Sequence, residues 1–335
     1  MATIREVARL AGVSVATVSK YLNGTKVSDA NARAVEEAVR ALDYKPNEIA
    51  RGLRKSSSMT VGVLLPELDN LFFTQIISSV DAVLEERGYS TLVCVSRSDP
   101  EREQRRLDFL RRKQIDGLIA VPTTAASDFV TLAGDLPTVF VDRVVSAAVT
   151  SGVRCSSVLS DNFAAAYGAA EELILAGHTR IGVLLGPDSN YTPLERRAGF
   201  LAACALHEIG EGDLFLSAGA YTVEAGYRMT KELLALDDRP TALFATNNEL
   251  TIGAVGAMAE AGITPGEEIS FIGFDNRTLA EISHPKLTVI VQPVAEIGRR
   301  AAETLLGLID GEEGGGILHL PTETIRGESV KRILS

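Results

Sequence analysis

The chain is 335 residues long, more than one ordinary domain and enough for two or three. Its 46% hydrophobic share supplies sizeable cores, and no biased tract points to a disordered or fibrous chain. The net charge of −11 is unevenly spread: residues 1–58 hold ten basic and six acidic residues, or +4, and the other 23 basic and 38 acidic residues leave −15. A basic head on an acidic body fits nucleic-acid binding confined to one small module, because the body repels DNA.

The first elements are short helices. Thr3 and Glu6 have capping-box spacing ahead of a stripe formed by Ile4, Val7, Ala8 and Ala11. Gly12 supplies a turn. Ser14 caps a second helix whose Val18 and Leu22 point inward, leaving Val15, Ala16, Thr17, Ser19 and Lys20 outside, and Asn23-Gly24 ends it. A third helix starts near Ser28-Asp29, runs to about Leu42 and buries Ala34, Val35, Ala38 and Val39. In Tyr44-Lys-Pro-Asn-Glu-Ile-Ala-Arg-Gly-Leu-Arg54, Pro46 stops that helix, Asn47 caps another and Glu48 suits its dipole. This fourth helix, two turns long with Gly52 inside, orders only when paired and docked. Lys55–Ser58 is a linker.

From Val61 onward, apolar runs alternate with amphipathic segments. The runs are Val61–Leu65, Thr91–Val95, Gly117–Val121, Thr138–Val141, Ile181–Leu185, Ala242–Ala245 and Ile269–Phe274. Helical patterns cover Phe72–Arg87, Glu101–Arg112, Ala164–Ala176, Leu194–Leu206 and Glu249–Ala261. This is a parallel α/β arrangement with both sheet faces covered, in two similar lobes. After the runs come Pro66-Glu-Leu-Asp-Asn70, Pro122-Thr123, Asp142-Arg143, Gly186-Pro187, Asn247-Asn248 and Asp275-Asn276. Polar groups thus gather at strand carboxyl ends, where open α/β sheets bind ligands.

No dinucleotide fingerprint, P-loop or nucleophile elbow is present, so no enzyme is expected; a sugar-modifying enzyme on the same α/β body is the remote alternative. Cys94, Cys155 and Cys204 form no cluster and read as small buried residues of a reducing compartment. His178, His207, His284 and His319 are dispersed, and no metal or cofactor is expected. The sequence shows no signal core and no membrane-length run, which leads to a cytoplasmic location with no membrane partner.

Ala-Gly-Val-Ser-x-x-Thr-Val-Ser, at residues 11–19, resembles the helix-turn-helix of the lac repressor family of bacterial transcription regulators, and Ala50-Arg51-Gly52-Leu53 resembles that family's hinge helix. Asp161-Asn162, Gly177-His178, Arg196, Ile272-Gly-Phe-Asp275 and Gln292-Pro293 look like its effector domain, which shares its fold with periplasmic sugar-binding proteins. The resemblance covers essentially the whole chain. It implies a helix-turn-helix domain over 1–46, a hinge over 47–59 and an effector-binding and dimerisation domain over 60–335. The first lobe would hold about 60–160 and 291–320, the second about 161–290 and 321–335. A tetramerising tail is not expected.

By that resemblance Val15, Ala16 and Lys20 face base edges, with only Lys20 able to donate to guanine. Thr3, Ser14, Thr17, Asn23 and Tyr44 position phosphates. Ala50, Arg51 and Leu53 belong to a minor-groove wedge. Arg196, Asp275 and Asn247 would hold effector hydroxyls, with Phe72, Phe73 and Tyr221 against a ring. Asn70, Thr123, Asp142, Arg143 and Thr192 are further candidates. The charge of Arg143 favours an acidic or phosphorylated sugar, whereas Asn248, where the family has Asp, removes a negative charge. The expected protein is a homodimeric repressor of a catabolic operon, reading a pseudo-palindromic double-stranded operator and answering to a sugar or sugar acid. A corepressor-type regulator for a nucleobase or phosphorylated metabolite is the alternative.

Overall fold

Side-chain caps organise the head. The computed structural model describes residues 2–22, 25–44, 57–123, 129, 133–144, 154–188 and 191–333. Asn23, Ala50, Arg51 and Leu53, and with them the expected hinge helix, lie outside these residues. Helix α1 (Ile4–Leu10) starts with the full Thr3/Glu6 capping box, α2 is Val15–Leu22, and α3 (Asp29–Ala41) is capped by Ser28. Val7, Ala8, Val18, Val35 and Ala38 form the small core, with Leu22 and Tyr44 packed against it. Ala34 and Val39 are only half-buried, since Val35 and Ala38 already fill the inward stripe.

Residues 60–335 form a separate compact unit built on two six-stranded sheets. The first sheet holds β1 (Thr60–Leu65), β2 (Ser90–Val95), β3 (Gly117–Ala120), β4 (Thr138–Val141), β5 (Cys155–Ser160) and β11 (Ile317–Leu320), in the order β11-β5-β4-β3-β1-β2. Its helices include α4 (Leu71–Glu86) and α5 (Pro100–Arg112).

The second sheet repeats the plan. It holds β6 (Ile181–Leu185), β7 (Leu214–Ala218), β8 (Ala242–Ala245), β9 (Ser270–Phe274), β10 (Thr288–Val291) and β12 (Glu323–Ile325), in the order β12-β10-β9-β8-β6-β7. Its helices include α6 (Asn162–Leu175), α7 (Tyr191–Leu206), α8 (Val223–Leu234), α9 (Asn248–Glu260) and α10 (Arg277–Ile282). The chain leaves the first sheet after β5 and returns after β10 through α11 (Val294–Asp310), whose apolar face joins the first lobe's core. It crosses once more between β11 and β12. All neighbouring strands run parallel except β10 and β12.

Central strands such as β3, β4, β6, β8 and β9 are buried along their whole length, as layers covered on both faces must be. Aliphatic and aromatic side chains fill a core on each face of each sheet. Helices α6 and α7 meet at Gly199, where a Cβ would collide with the Phe163 carbonyl. Cys94, Cys155 and Cys204 are all buried.

Past β12 the chain straps itself across the second lobe. Ser329 Oγ accepts from the Thr288 amide at 2.7 Å and donates to the Phe271 carbonyl at 2.6 Å. The Ile333 amide reaches the Ala176 carbonyl at 2.7 Å. His178 is buried beneath this segment, with Nδ1 2.9 Å from Thr241 Oγ1 and Nε2 2.8 Å from Ser270 Oγ and 3.1 Å from the Lys331 carbonyl. Burial holds its pKa below the ordinary histidine value.

Candidate functional site

The head presents a polar helix face. Ser14 Oγ accepts from the Thr17 amide at 3.1 Å and shares a hydrogen bond with Thr17 Oγ1 at 2.9 Å. With Val18 fully buried, Ala16 and Lys20 are exposed on the opposite side of α2, and Val15 is exposed at its start. Thr3 Oγ1 donates to Glu6 at 2.9 Å, so its hydroxyl is occupied by the cap. That cap, through the Thr3 backbone and side-chain bonds, holds the Glu6 carboxyl below its usual range. Tyr44 packs its ring against the head core.

In the body, the carboxyl ends of both sheets face one cleft of about 580 Å³, part of it open to solvent. Asn70, Phe72, Phe73, Asp142, Arg143, Thr192, Arg196, Tyr221, Asn247 and Asp275 all line it, together with Glu67, Pro193, Asn248, Glu249 and Gln292. Thr123, proposed from sequence, does not. It is buried, with its amide and its Oγ1 each donating to Glu103 Oε2 at 2.6 Å. Its part is to fix the first-lobe loop, and its carbonyl accepts from Arg143 at 3.0 Å.

The second lobe's residues are tightly held. Arg196 rises from α7 and is 2% exposed. Its Nε donates to Asn162 Oδ1 at 2.8 Å, its Nη1 donates to the Thr246 carbonyl, and its guanidinium lies 3.9 Å from the Phe274 ring centre. Asn247 caps α9, with Oδ1 accepting from the Leu250 amide at 2.9 Å and Nδ2 donating to Glu249. Asp275 follows β9 at φ +64°, a left-handed conformation that Asp and Asn tolerate best among residues with a side chain. Gln292, on the return crossover, donates to Asp275 from its amide at 3.2 Å and from Nε2 at 2.6 Å. Burial pushes the Asp275 carboxyl up to about 6 despite the opposing pull of Arg196 and Gln292. Burial likewise raises the Tyr221 phenol.

The first lobe mirrors part of this. Asp142 follows β4, also at φ +64°, and its backbone carbonyl accepts from Thr192 Oγ1 at 2.8 Å. Phe72 and Phe73 meet edge to face, with ring centres 5.3 Å apart. Arg143 donates from Nη1 to the carbonyls of Pro122 and Thr123 and lies 3.7 Å from Asp142. The Arg143 charge, expected from the sequence to favour an acidic or phosphorylated sugar, is thus already matched by groups of the protein itself. The loss of charge at Asn248 is also offset, because Glu249 supplies a carboxylate one residue later.

Glu67, Asn248 and Gln292 stand within stretches already conspicuous in the sequence, although none is among its candidate effector contacts. Glu249 carried no signal, because an acidic residue in a first helical turn is ordinary.

A small helix-turn-helix head followed by a two-sheet body with a cleft at its strand ends defines a class: a DNA-binding regulator carrying a binding-protein-like domain. Two family models agree. Residues 3–47 match the bacterial regulatory proteins of the lacI family, and residues 170–330 match the periplasmic binding protein-like domain. The HTH-type transcriptional repressor PurR of Mannheimia succiniciproducens is 31% identical over 338 residues, covering 99% of this chain and all of that protein. PurR of Haemophilus influenzae is 32% identical over 343 residues, covering 100% of both. The lac repressor dimer bound to operator and the anti-inducer ONPF superposes with a TM-score of 0.87 at 25% identity, covering 98% of this chain and 99% of that one. The complex of the regulator CelR with cellobiose gives 0.73 at 27% identity, covering 98% and 100%. The chain belongs to the lacI family of bacterial regulatory proteins. It is a DNA-binding transcriptional repressor and not an enzyme. Among the described residues, no helix is long and apolar enough to cross a membrane.

Proposed function

We propose that this repressor works in the cytoplasm as a C2 homodimer on a pseudo-palindromic operator, and that a small polar effector in the interlobe cleft sets its operator affinity. The observation that carries the reading is the convergence of Arg196, Asp275 and Gln292 from separate elements on one buried wall of the cleft. Asp142 faces the same space from the other lobe. The lac repressor neighbour is a dimer on its operator, which supports the symmetry; paired half-sites suit a twofold protein.

On the head, Val15, Ala16 and Lys20 are assigned to base edges, and Ser14, Thr17, Thr3, Asn23 and Tyr44 to the phosphate backbone. Ala50, Arg51 and Leu53 are assigned to the minor groove. Lys20→Ala is expected to cost about 1–3 kcal/mol of operator affinity and to relax preference at one base per half-site. Selection from random DNA with an unaltered preference would reduce Lys20 to a phosphate contact.

The cleft favours ligands rich in hydrogen-bond donors. The Asn247 and Thr192 side chains already serve the protein's own bonds, while carboxylates supply most of the remaining capacity. A sugar-type polyol is the first reading, and the CelR–cellobiose neighbour supports it; the regulated genes would then serve its catabolism. A nucleobase is the second, favoured by the relatives named PurR and by the flat faces of Phe72, Phe73 and Tyr221. A thermal-shift screen of sugars, sugar acids and nucleobases identifies the class, since a ligand of the native state raises Tm by mass action. Operator binding is then measured with and without the hit. Asp275→Asn should remove the response to that hit. Retention of the full response would show that the effector acts elsewhere.

A further inference from the structure

Among the described residues, four carboxylates line the cleft, Glu67, Asp142, Glu249 and Asp275, but only two guanidiniums, Arg143 and Arg196. Arg143 lies against Asp142 at 3.7 Å. Arg196 is the cation that pulls on the Asp275 carboxyl. Glu67 and Glu249 are left over, and among the described residues neither has an ion-pair partner. They come from different lobes, Glu67 from the loop after β1 and Glu249 from the first turn of α9.

Their surroundings orient them without neutralising them. Asn247 Nδ2 donates to Glu249 Oε2, and Asn248 Nδ2 donates to Oε1 at 3.1 Å. Asn248 is steadied in turn by Asn276 Nδ2 at 2.8 Å. Glu67 Oε1 receives only a long bond, 3.4 Å, from Asn70. Burial raises the Glu67 pKa against the Asn70 bond, and the charges of Asp69 and Glu249 raise it further, with Arg143 opposing. The two glutamates thus line one cleft from opposite lobes.

A separate observation points to a ligand. Gln292 is 5% exposed and lines the same cleft. Its Nε2 is tied to Asp275, but its Oε1 has no hydrogen-bond partner. Buried acceptors are normally satisfied, so this one awaits a donor.

We propose that the effector carries a protonated amine held between Glu67 and Glu249, with a hydroxyl or N–H elsewhere in the molecule donating to Gln292 Oε1. The inference rests on the cleft being the effector site and narrows its ligand to small polar amines, such as amino sugars. An ammonium offers three donors and no acceptor, which suits a wall of acceptors. A divalent metal suits it less. Such an ion takes about six or more oxygen ligands, both Glu249 oxygens already accept amide bonds, and no group of three potential metal ligands occurs among the described residues.

The test uses the full-length protein and matched probes. Glucosamine, galactosamine and mannosamine are compared with glucose, galactose and mannose, with the corresponding uronic acids, and with guanine and hypoxanthine; magnesium and calcium chloride form a separate arm. Melting shifts select binders and calorimetry gives Kd for wild type and for Glu67→Gln/Glu249→Gln, whose ligand-free Tm checks folding. At least one amine should bind about tenfold more tightly than its neutral counterpart, roughly 1.4 kcal/mol. The double variant should lose that margin. Equal or tighter binding of the neutral or acidic counterpart overturns the proposal, as does a margin that survives in the double variant. So does the absence of any amine-induced shift, or a shift of the same size with metal alone. A neutral hit that still alters operator affinity would remove the amine and leave the effector cleft standing.

Discussion

The two lobes place the same residue in the same way and support it differently. Each puts an aspartate in the left-handed conformation directly after a buried strand, Asp142 after β4 and Asp275 after β9. In the first lobe the matching arginine is the next residue, Arg143, at a side-chain exposure of 13% and anchored to loop carbonyls. In the second lobe it is Arg196, on a helix far away in sequence, fully sheltered and seated on Phe274. The second lobe therefore offers a wall assembled before any ligand arrives. The first offers a loop whose shape depends on one buried relay, Arg143 to Thr123 to Glu103. The contrast teaches that pre-organisation in this cleft comes from helix-borne, cross-element bonds, and that the loop side is where adjustment is cheapest.

The largest test of that contrast is Arg196→Ala. It removes two buried charge-assisted hydrogen bonds, to Asn162 and the Thr246 carbonyl, together with the packing on Phe274, and should cost about 3–5 kcal/mol in urea unfolding. A loss under 1 kcal/mol would mean that the second-lobe wall is no stiffer than the first.

Next comes Thr123→Val, which removes one of two bonds to buried Glu103 while keeping volume; about 1–3 kcal/mol is expected. Burial already pushes the Glu103 carboxyl above its usual value. Because Thr123 does not reach the cleft, ligand Kd should change little. A large change in Kd with stability intact would put the relay in direct control of binding.

The smallest effect is on pH dependence. With Asp275 near 6 in the folded chain against 3.8 ordinarily, its contribution to stability is fully present below the ordinary value and is lost as pH rises through about 6. Asp275→Asn cannot ionise, so its Tm should gain on that of the ligand-free wild type between pH 5 and 7.5. The opposite trend would show that attraction to Arg196 outweighs burial.

Much of the fold was legible because central strands covered on both faces leave unbroken apolar runs, as at Ile181–Leu185. Edge strands differ: β2 still reads as an apolar run, and the others do not. β7 alternates between half-buried and exposed, and β11 and β12 are short and mostly uncovered, so their sequences look like loops. Helix α11 begins without a side-chain cap, at Pro293, so nothing in the sequence marks its start. At the cleft, polar residues after strands marked Asp142, Asn247 and Asp275. Thr123 carried the same mark and turned inward instead, since position after a strand does not determine which way a side chain faces. The partners of Arg143 were equally out of reach, because two of them are backbone carbonyls twenty residues upstream.

The strap over His178 has a practical side. Deleting residues 329–335 would unpair the Thr288 amide and the Ala176 carbonyl and take one of the His178 ring's three partners, at the far end of the lobe from the cleft. Affinity tags and fluorophores on this protein therefore belong beyond Ile333 on a flexible spacer. A shortened C-terminus would report on its own unravelling before it reported on any ligand.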